Sequence, residues 1–218
     1  EIYTLSLHDA LPIFSLLRSA IQNDTLSSVI LFGPAGTGKT SIAHIIAEST
    51  AATFVEVSAI GGTVSDLRRE IAAAETRLLQ GRRTILFVDE IHRFNRAQQD
   101  SLLHAVENRT VVLIGATTEN PYFEVNSALI SRSRIVELGH LSDSDIAELI
   151  SRALVDERGL AGKYELAPDA LDALVVMAGG DARSALTSLE LSAGMVSPGA
   201  KDSPALIGAK VVETANPH

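Results

Sequence analysis

The chain is 218 residues long, 46% apolar and 21% charged, with a formal net charge of −9 and no cysteine. Such values describe a globular chain with room for one sizeable domain, or a core domain with a small satellite. They exclude a disulfide framework and a thiolate metal site; no window approaches the roughly 18 unbroken apolar residues of a membrane helix, and the charge argues against a protein coated all over in nucleic acid.

Taken in chain order, the first clear element is the apolar run Val29-Ile30-Leu31-Phe32. It is continuous rather than alternating, as expected for a strand buried on both faces of a parallel sheet. Gly33-Pro34-Ala35-Gly36-Thr37-Gly38-Lys39-Thr40 follows at once, fits G-x-x-x-x-G-K-[ST] at every defined position and precedes an apolar-striped helix; with Ser41 these residues are the candidate nucleotide-binding set. Glycines there let backbone N–H groups turn onto phosphate oxygens, and the helix N-terminus favours the anion. Lys39 is expected to reach the β- and γ-phosphates of ATP, and the Thr40 hydroxyl to ligate Mg²⁺.

Val64, Leu67, Ile71, Ala74 and Leu78 share one face of a helix that Thr63 can open. Ile85-Leu86-Phe87-Val88 reads as another buried strand, ending in Asp89-Glu90. Asp89 is placed to hold Mg²⁺, directly or through water, and Glu90 to polarise the attacking water as general base. His92 comes next but one; a lone histidine at such a place is more often structural, and it receives no role. Asn95, with Gln98 three residues on, can cap a helix through Leu102, Leu103 and Val106. Val111-Val112-Leu113-Ile114 is a third buried run, followed by the polar stretch Gly115-Ala116-Thr117-Thr118-Glu119-Asn120. Strands alternating with helices imply βαβ units and an α/β sheet covered on both sides. All three strands deliver polar residues at their carboxyl ends, where open α/β sheets bind ligands.

Arg132 precedes a further apolar run, Ile135 and Val136. Beyond His140 the strand signals stop. Ser142 can cap one helix, Pro168 opens a second and Asp181 a third, which together predict a small all-helical domain. Arg183 lies at the start of that third helix. Charge developing on a transferred phosphoryl group calls for arginines of this kind, though by spacing alone Arg132 and Arg183 serve equally as surface ion-pair partners. From about Ser197 the pattern dissolves into Ser, Pro, Gly and Lys, read as a linker or frayed end.

Charge is unevenly spread. Eight of the fourteen arginines fall between Arg68 and Arg109, against six acids, whereas Leu141 to Val196 holds ten acids and four basic residues. The basic half can meet a phosphate backbone, and Arg93 and Arg96 are the candidates for phosphate contact; a solvated charged surface explains the same counts.

Gly81 to Asp100, Ile114 to Pro121, Asn126 to Arg132 and Gly180 to Leu186 closely resemble the replication-associated recombination protein A family, with its eukaryotic Werner-helicase-interacting relatives. The resemblance runs from about Phe14 to Met195; the Arg93-Phe94-Asn95 and Thr117-Thr118-Glu119-Asn120-Pro121 blocks are specific to that family within AAA+ proteins. It implies an AAA+ P-loop core with a parallel five-stranded sheet in the order 5-1-4-3-2, followed by a helical lid. The expected organisation is then 14–140 for the core, 141–196 for the lid and 197–218 for the linker or truncated end. Residues 1–13 match nothing in the family, lack its Arg-Pro and Gly-Gln adenine-pocket motifs and resemble a translated sequencing adapter, so a non-native start is expected. The family's C-terminal oligomerisation region has no counterpart, and Ala35 stands where the family usually has a second proline.

By that resemblance the protein is a DNA-dependent, clamp-loader-like ATPase acting at stalled forks, gaps and recombination intermediates in the bacterial cytoplasm, at the nucleoid. Arg132 looks like the arginine finger offered to a neighbouring subunit of a homo-oligomer, Arg183 like the sensor-2 arginine and Thr118 like sensor 1, with Asn120 the weaker candidate. The implied partners are DNA forks and single-strand/double-strand junctions, single-stranded-DNA-binding protein and the replisome. The competing reading is a nucleotide-gated scaffold without productive turnover, which needs none of Glu90, Arg132 and Arg183. A superfamily-2 helicase, suggested by Asp89-Glu90-Ile91-His92, requires a second RecA-like lobe for which the chain has no room.

Overall fold

The computed structural model describes residues 27–59 and 63–217. The expected non-native start at 1–13, and the onset of family likeness at Phe14, lie outside these residues. The described residues form two compact units, one holding 27–34 and Lys39–Leu138, the other Ala35–Gly38 and 139–217.

The first unit is built on strands β1 (Val29–Phe32), β2 (Thr53–Ser58), β3 (Thr84–Asp89), β4 (Val112–Thr117) and β5 (Arg134–Glu137). They lie in the order β2-β3-β4-β1-β5, every pairing parallel, which is the expected order read from the other edge. The central strands β1, β3 and β4 are buried along nearly their whole length, as their unbroken apolar runs require. The edge strand β2 is only half-buried and reads as an alternation, which is why it stands out less in the sequence.

Helices α1 (Lys39–Glu48), α2 (Val64–Leu79) and α3 (Arg96–Glu107) make the crossovers, and the short α4 (Pro121–Glu124) and α5 (Ser127–Ser131) link β4 to β5. Thr63 and Asn95 each close a capping box, with Asp66 and Gln98 as reciprocal partners. Leu67, Leu86, Val88, Ile91, Leu102, Leu113 and Leu129 form one contiguous core of this unit.

The second unit contains α6 (Asp143–Val155), α7 (Pro168–Ala178) and α8 (Ala182–Gly194), opened by Ser142, Pro168 and Asp181 as expected. It departs from the expected all-helical lid with a linker by three elements. The three-residue strand β6 (Tyr164–Leu166) pairs in parallel with β7 (Ala205–Ile207), and α9 (Ala209–Ala215) follows. Ile207 and Val212 are fully buried in the core formed by Ile146, Leu149, Leu174, Leu186 and Leu189, so 205–215 is part of the folded unit rather than a frayed end. Its elements, three and seven residues long, are too short to show periodicity; their order comes from pairing across about forty residues of sequence. Among the described residues no helix is long and apolar enough to cross a membrane.

Candidate functional site

The parallel sheet sets the site. The connection leaving β1 runs toward β2 and the one leaving β4 runs toward β5, on opposite sides, so a crevice opens beyond their carboxyl ends. Register places Phe32 beside Thr117 and Val88 beside Gly115, which brings Gly33, Asp89-Glu90 and Thr117-Thr118 to the same edge.

The phosphate loop leaves β1 through Gly33, whose N–H donates to the Thr117 carbonyl at 3.1 Å. A Cβ at Gly33 would lie 2.2 Å from the Leu138 carbonyl oxygen, so no larger residue fits. Gly36 and Gly38 take φ of 70° and 86°, the left-handed conformation that aims successive N–H groups inward. Between them Thr37 is buried; Pro34, Gly36 and Gly38 are partly covered and Ala35 is exposed at the tip. Lys39, the first residue of α1, is only 8% exposed, and its ammonium donates to the Gly33 and Pro34 carbonyls at 2.7 and 2.6 Å. The lysine thus folds back on the first two residues of the loop. Thr40 and Ser41 follow on the first turn, partly buried.

Asp89 ends β3 and accepts the Glu90 N–H at 3.1 Å through Oδ1. The chain then turns sharply, Glu90 taking φ 52° and ψ 47°, and enters a 3₁₀ turn at Ile91–Arg93. The turn aims the Glu90 carboxylate at two groups. His92 Nδ1 lies 3.2 Å from Glu90 Oε2, and the Thr118 hydroxyl donates to the same oxygen at a long 3.4 Å. His92 Nδ1 is also 3.0 Å from Thr117 Oγ1. Because the Thr117 hydroxyl donates to the Glu119 carbonyl and accepts the Glu119 N–H, its proton is already committed. Nδ1 therefore carries the ring proton and shares it between Thr117 and Glu90.

These contacts recruit two residues that the sequence left unassigned, His92 and the fully buried Thr117. The run Asp89-Glu90-Ile91-His92 held the signal for the first. Asn120, the weaker sensor candidate, uses its side chain instead to cap α4 by accepting the Tyr122 N–H at 3.0 Å.

Arg132 is not brought to this edge. It caps α5 immediately before β5, whose first residue, Arg134, is level with Val29 at the start of β1 and donates to the Ser28 carbonyl. Gly33 stands at the other end of that strand, roughly 13 Å away at about 3.3 Å per residue. At its own end Arg132 pairs with Glu107 at 2.6 Å and donates to the Ala128 carbonyl. Both line a cleft of about 970 Å³ with Ser28, Arg83, Arg109 and Thr110. Arg183 belongs to the second unit, exposed on the first turn of α8, its N–H donating to Asp181 Oδ1 at 2.8 Å.

Comparison with known proteins agrees with this geometry. The family model described as "ATPase family associated with various cellular activities (AAA)" matches residues 29–140. Replication-associated recombination protein A of Escherichia coli is 46% identical over 181 residues, covering 82% of this chain and 40% of that protein. The ATPase WRNIP1 of Dictyostelium discoideum is 40% identical over 178 residues, 81% of this chain and 20% of that protein. Among solved structures, the Thermotoga maritima RuvB Holliday junction branch migration motor superposes with a TM-score of 0.73 at 28% identity, covering 92% of this chain and 65% of that one. The chain spans well under half the length of the curated relatives it matches.

Proposed function

The chain belongs to the AAA family of ATPases, in the group of the replication-associated recombination proteins, and on that premise we propose that it binds and hydrolyses ATP to act on DNA at forks, gaps and recombination intermediates. The observation that carries the reading is the convergence of three neighbouring strand ends: a phosphate cradle on β1, paired carboxylates on β3 and a hydroxyl pair on β4.

The residues present fit the groups this chemistry needs. The loop backbone and Lys39 suit the polyphosphate. Asp89 and Thr40 offer one carboxylate and one hydroxyl, the few protein donors Mg²⁺ takes where it keeps waters and phosphate oxygens. When bound, that ion would neutralise charge building on the phosphates. Glu90 would orient the attacking water and take its proton. His92 and Thr118 hold the Glu90 carboxylate at a fixed angle, so the base need not be ordered during reaction.

Arg132 is proposed to act in trans. It sits at the amino end of the sheet, too far from the loop of its own chain, and is therefore suited to reach the ATP of a neighbouring copy in a homo-oligomer. Arg183 is proposed to couple the γ-phosphate to the second unit. Single-stranded-DNA-binding protein and the replisome, met in the cytoplasm at the nucleoid, are the partners that suit such a protein.

ATPase assays with and without forked or gapped DNA test the proposal, on this chain and on a version extended to the relatives' length. Glu90→Gln is expected to lower turnover by about 100-fold or more while nucleotide binding persists. Turnover that survives this substitution would sink the assignment of the base.

A further inference from the structure

Two of the largest exposed apolar side chains of the first unit stand next to each other. Tyr122 is 67% exposed and Phe123 84%, on the single turn of α4. The turn is built firmly. Asn120 caps it, buried Pro121 occupies its first position, and the Val125 N–H closes it on the Pro121 carbonyl at 3.0 Å. Gln99 of α3, itself buried, ties the turn down from below: Nε2 donates to the Phe94 and Glu124 carbonyls at 3.0 and 3.2 Å, and Oε1 accepts the Asn126 N–H at 2.7 Å. The rings are thus held outward by a satisfied polar network, without the stabilisation that burying a phenyl ring contributes.

Phe123 lines a cavity of about 360 Å³ with Arg96, Gln99, Val125 and Asn126. Arg96 opens α3, and Arg93 is exposed three residues earlier; neither has an ion-pair partner among the described residues. Glu124 shares the cavity, so its net charge is small.

We propose that Tyr122 and Phe123 are a stacking platform for an unpaired nucleic-acid strand, with Arg96, and Arg93 beyond it, meeting the adjoining phosphates. The proposal rests on the DNA-acting reading above and specifies which form of DNA is gripped and by what. A phenyl ring has no hydrogen-bonding group, so its partner offers an apolar surface, and the face of an unstacked base is one. In a duplex those faces are covered by neighbouring base pairs; in an unpaired strand they are open. The unpaired Arg96 guanidinium beside the ring, with Arg93 exposed three residues earlier in the chain, fits an anionic polymer better than a neutral protein surface. Because Glu124 offsets one of them, stacking dominates and the salt dependence is shallow.

Fluorescence anisotropy of this chain with a labelled oligothymidine, and with a blunt duplex of equal length, tests the platform, alongside DNA-stimulated ATPase of the extended protein. Phe123→Ala is expected to weaken oligothymidine binding about tenfold or more, with Phe123→Trp restoring it and duplex binding unchanged. Both positions are exposed, so an unaltered thermal midpoint checks that the fold is intact. Equal oligothymidine affinity for Phe123→Ala and the parent, with DNA stimulation intact, overturns the platform alone and leaves the rings to a protein partner. A parent that binds neither DNA and shows no stimulation overturns the platform together with the DNA-acting reading.

Discussion

Glu90 is a non-glycine residue in the left-handed region, a conformation costing on the order of 1 kcal/mol. The strain persists because β3 and the 3₁₀ turn fix the chain on either side, and it delivers the carboxylate to His92 and Thr118. His92 is accordingly a positioning residue. His92→Ala is expected to lower kcat about tenfold by releasing the carboxylate, with KM for ATP nearly unchanged. A matched fall in ATP affinity, seen by equilibrium binding, would place His92 in nucleotide binding instead. The sequence showed Lys39, Asp89 and Glu90 plainly, because each lies in a short contiguous pattern. The pairing of Thr117 with His92 was hidden because it joins residues twenty-five positions apart, through a register only the folded sheet supplies.

Among the elements, legibility followed locality. The fully buried strands β1, β3 and β4 and the capped helices α2, α3 and α6 are written in runs and spacings a few residues long. β6, β7 and α9 are not; three-residue strands carry no period, and their order depends on each other. The cap of α2 has a pH signature. The Thr63 hydroxyl, followed by the Thr63 N–H, holds the Asp66 carboxyl below its ordinary value, with Arg69 adding a smaller effect in the same direction. A group with a lowered folded value stabilises fully above the ordinary carboxylate range and loses that contribution as pH falls through the lowered one. Thr63→Ala is therefore expected to reduce the urea midpoint at neutral pH and to flatten its decline below about pH 4. Parallel acid limbs for parent and variant would remove the cap from the account.

At the scale of the whole molecule, Arg132 stands at the opposite end of the sheet from the phosphate loop, and the proposed role in trans can be tested by mixing variants. In a version long enough to assemble, Lys39→Ala and Arg132→Ala are each expected to lose most activity alone. Mixing them is expected to recover a measurable fraction, since some interfaces then join an intact loop to an intact arginine. No recovery at any ratio, with mixed assemblies demonstrated by cross-linking, would place Arg132 outside the reaction. In symmetry terms, a chain with its nucleotide seat at one end of the sheet and its arginine at the other has a direction. On the proposal that Arg132 serves a neighbour's loop, head-to-tail contacts repeat that one pairing from copy to copy. An open head-to-tail array would end on one seat without a donor, whereas a closed head-to-tail ring would leave none.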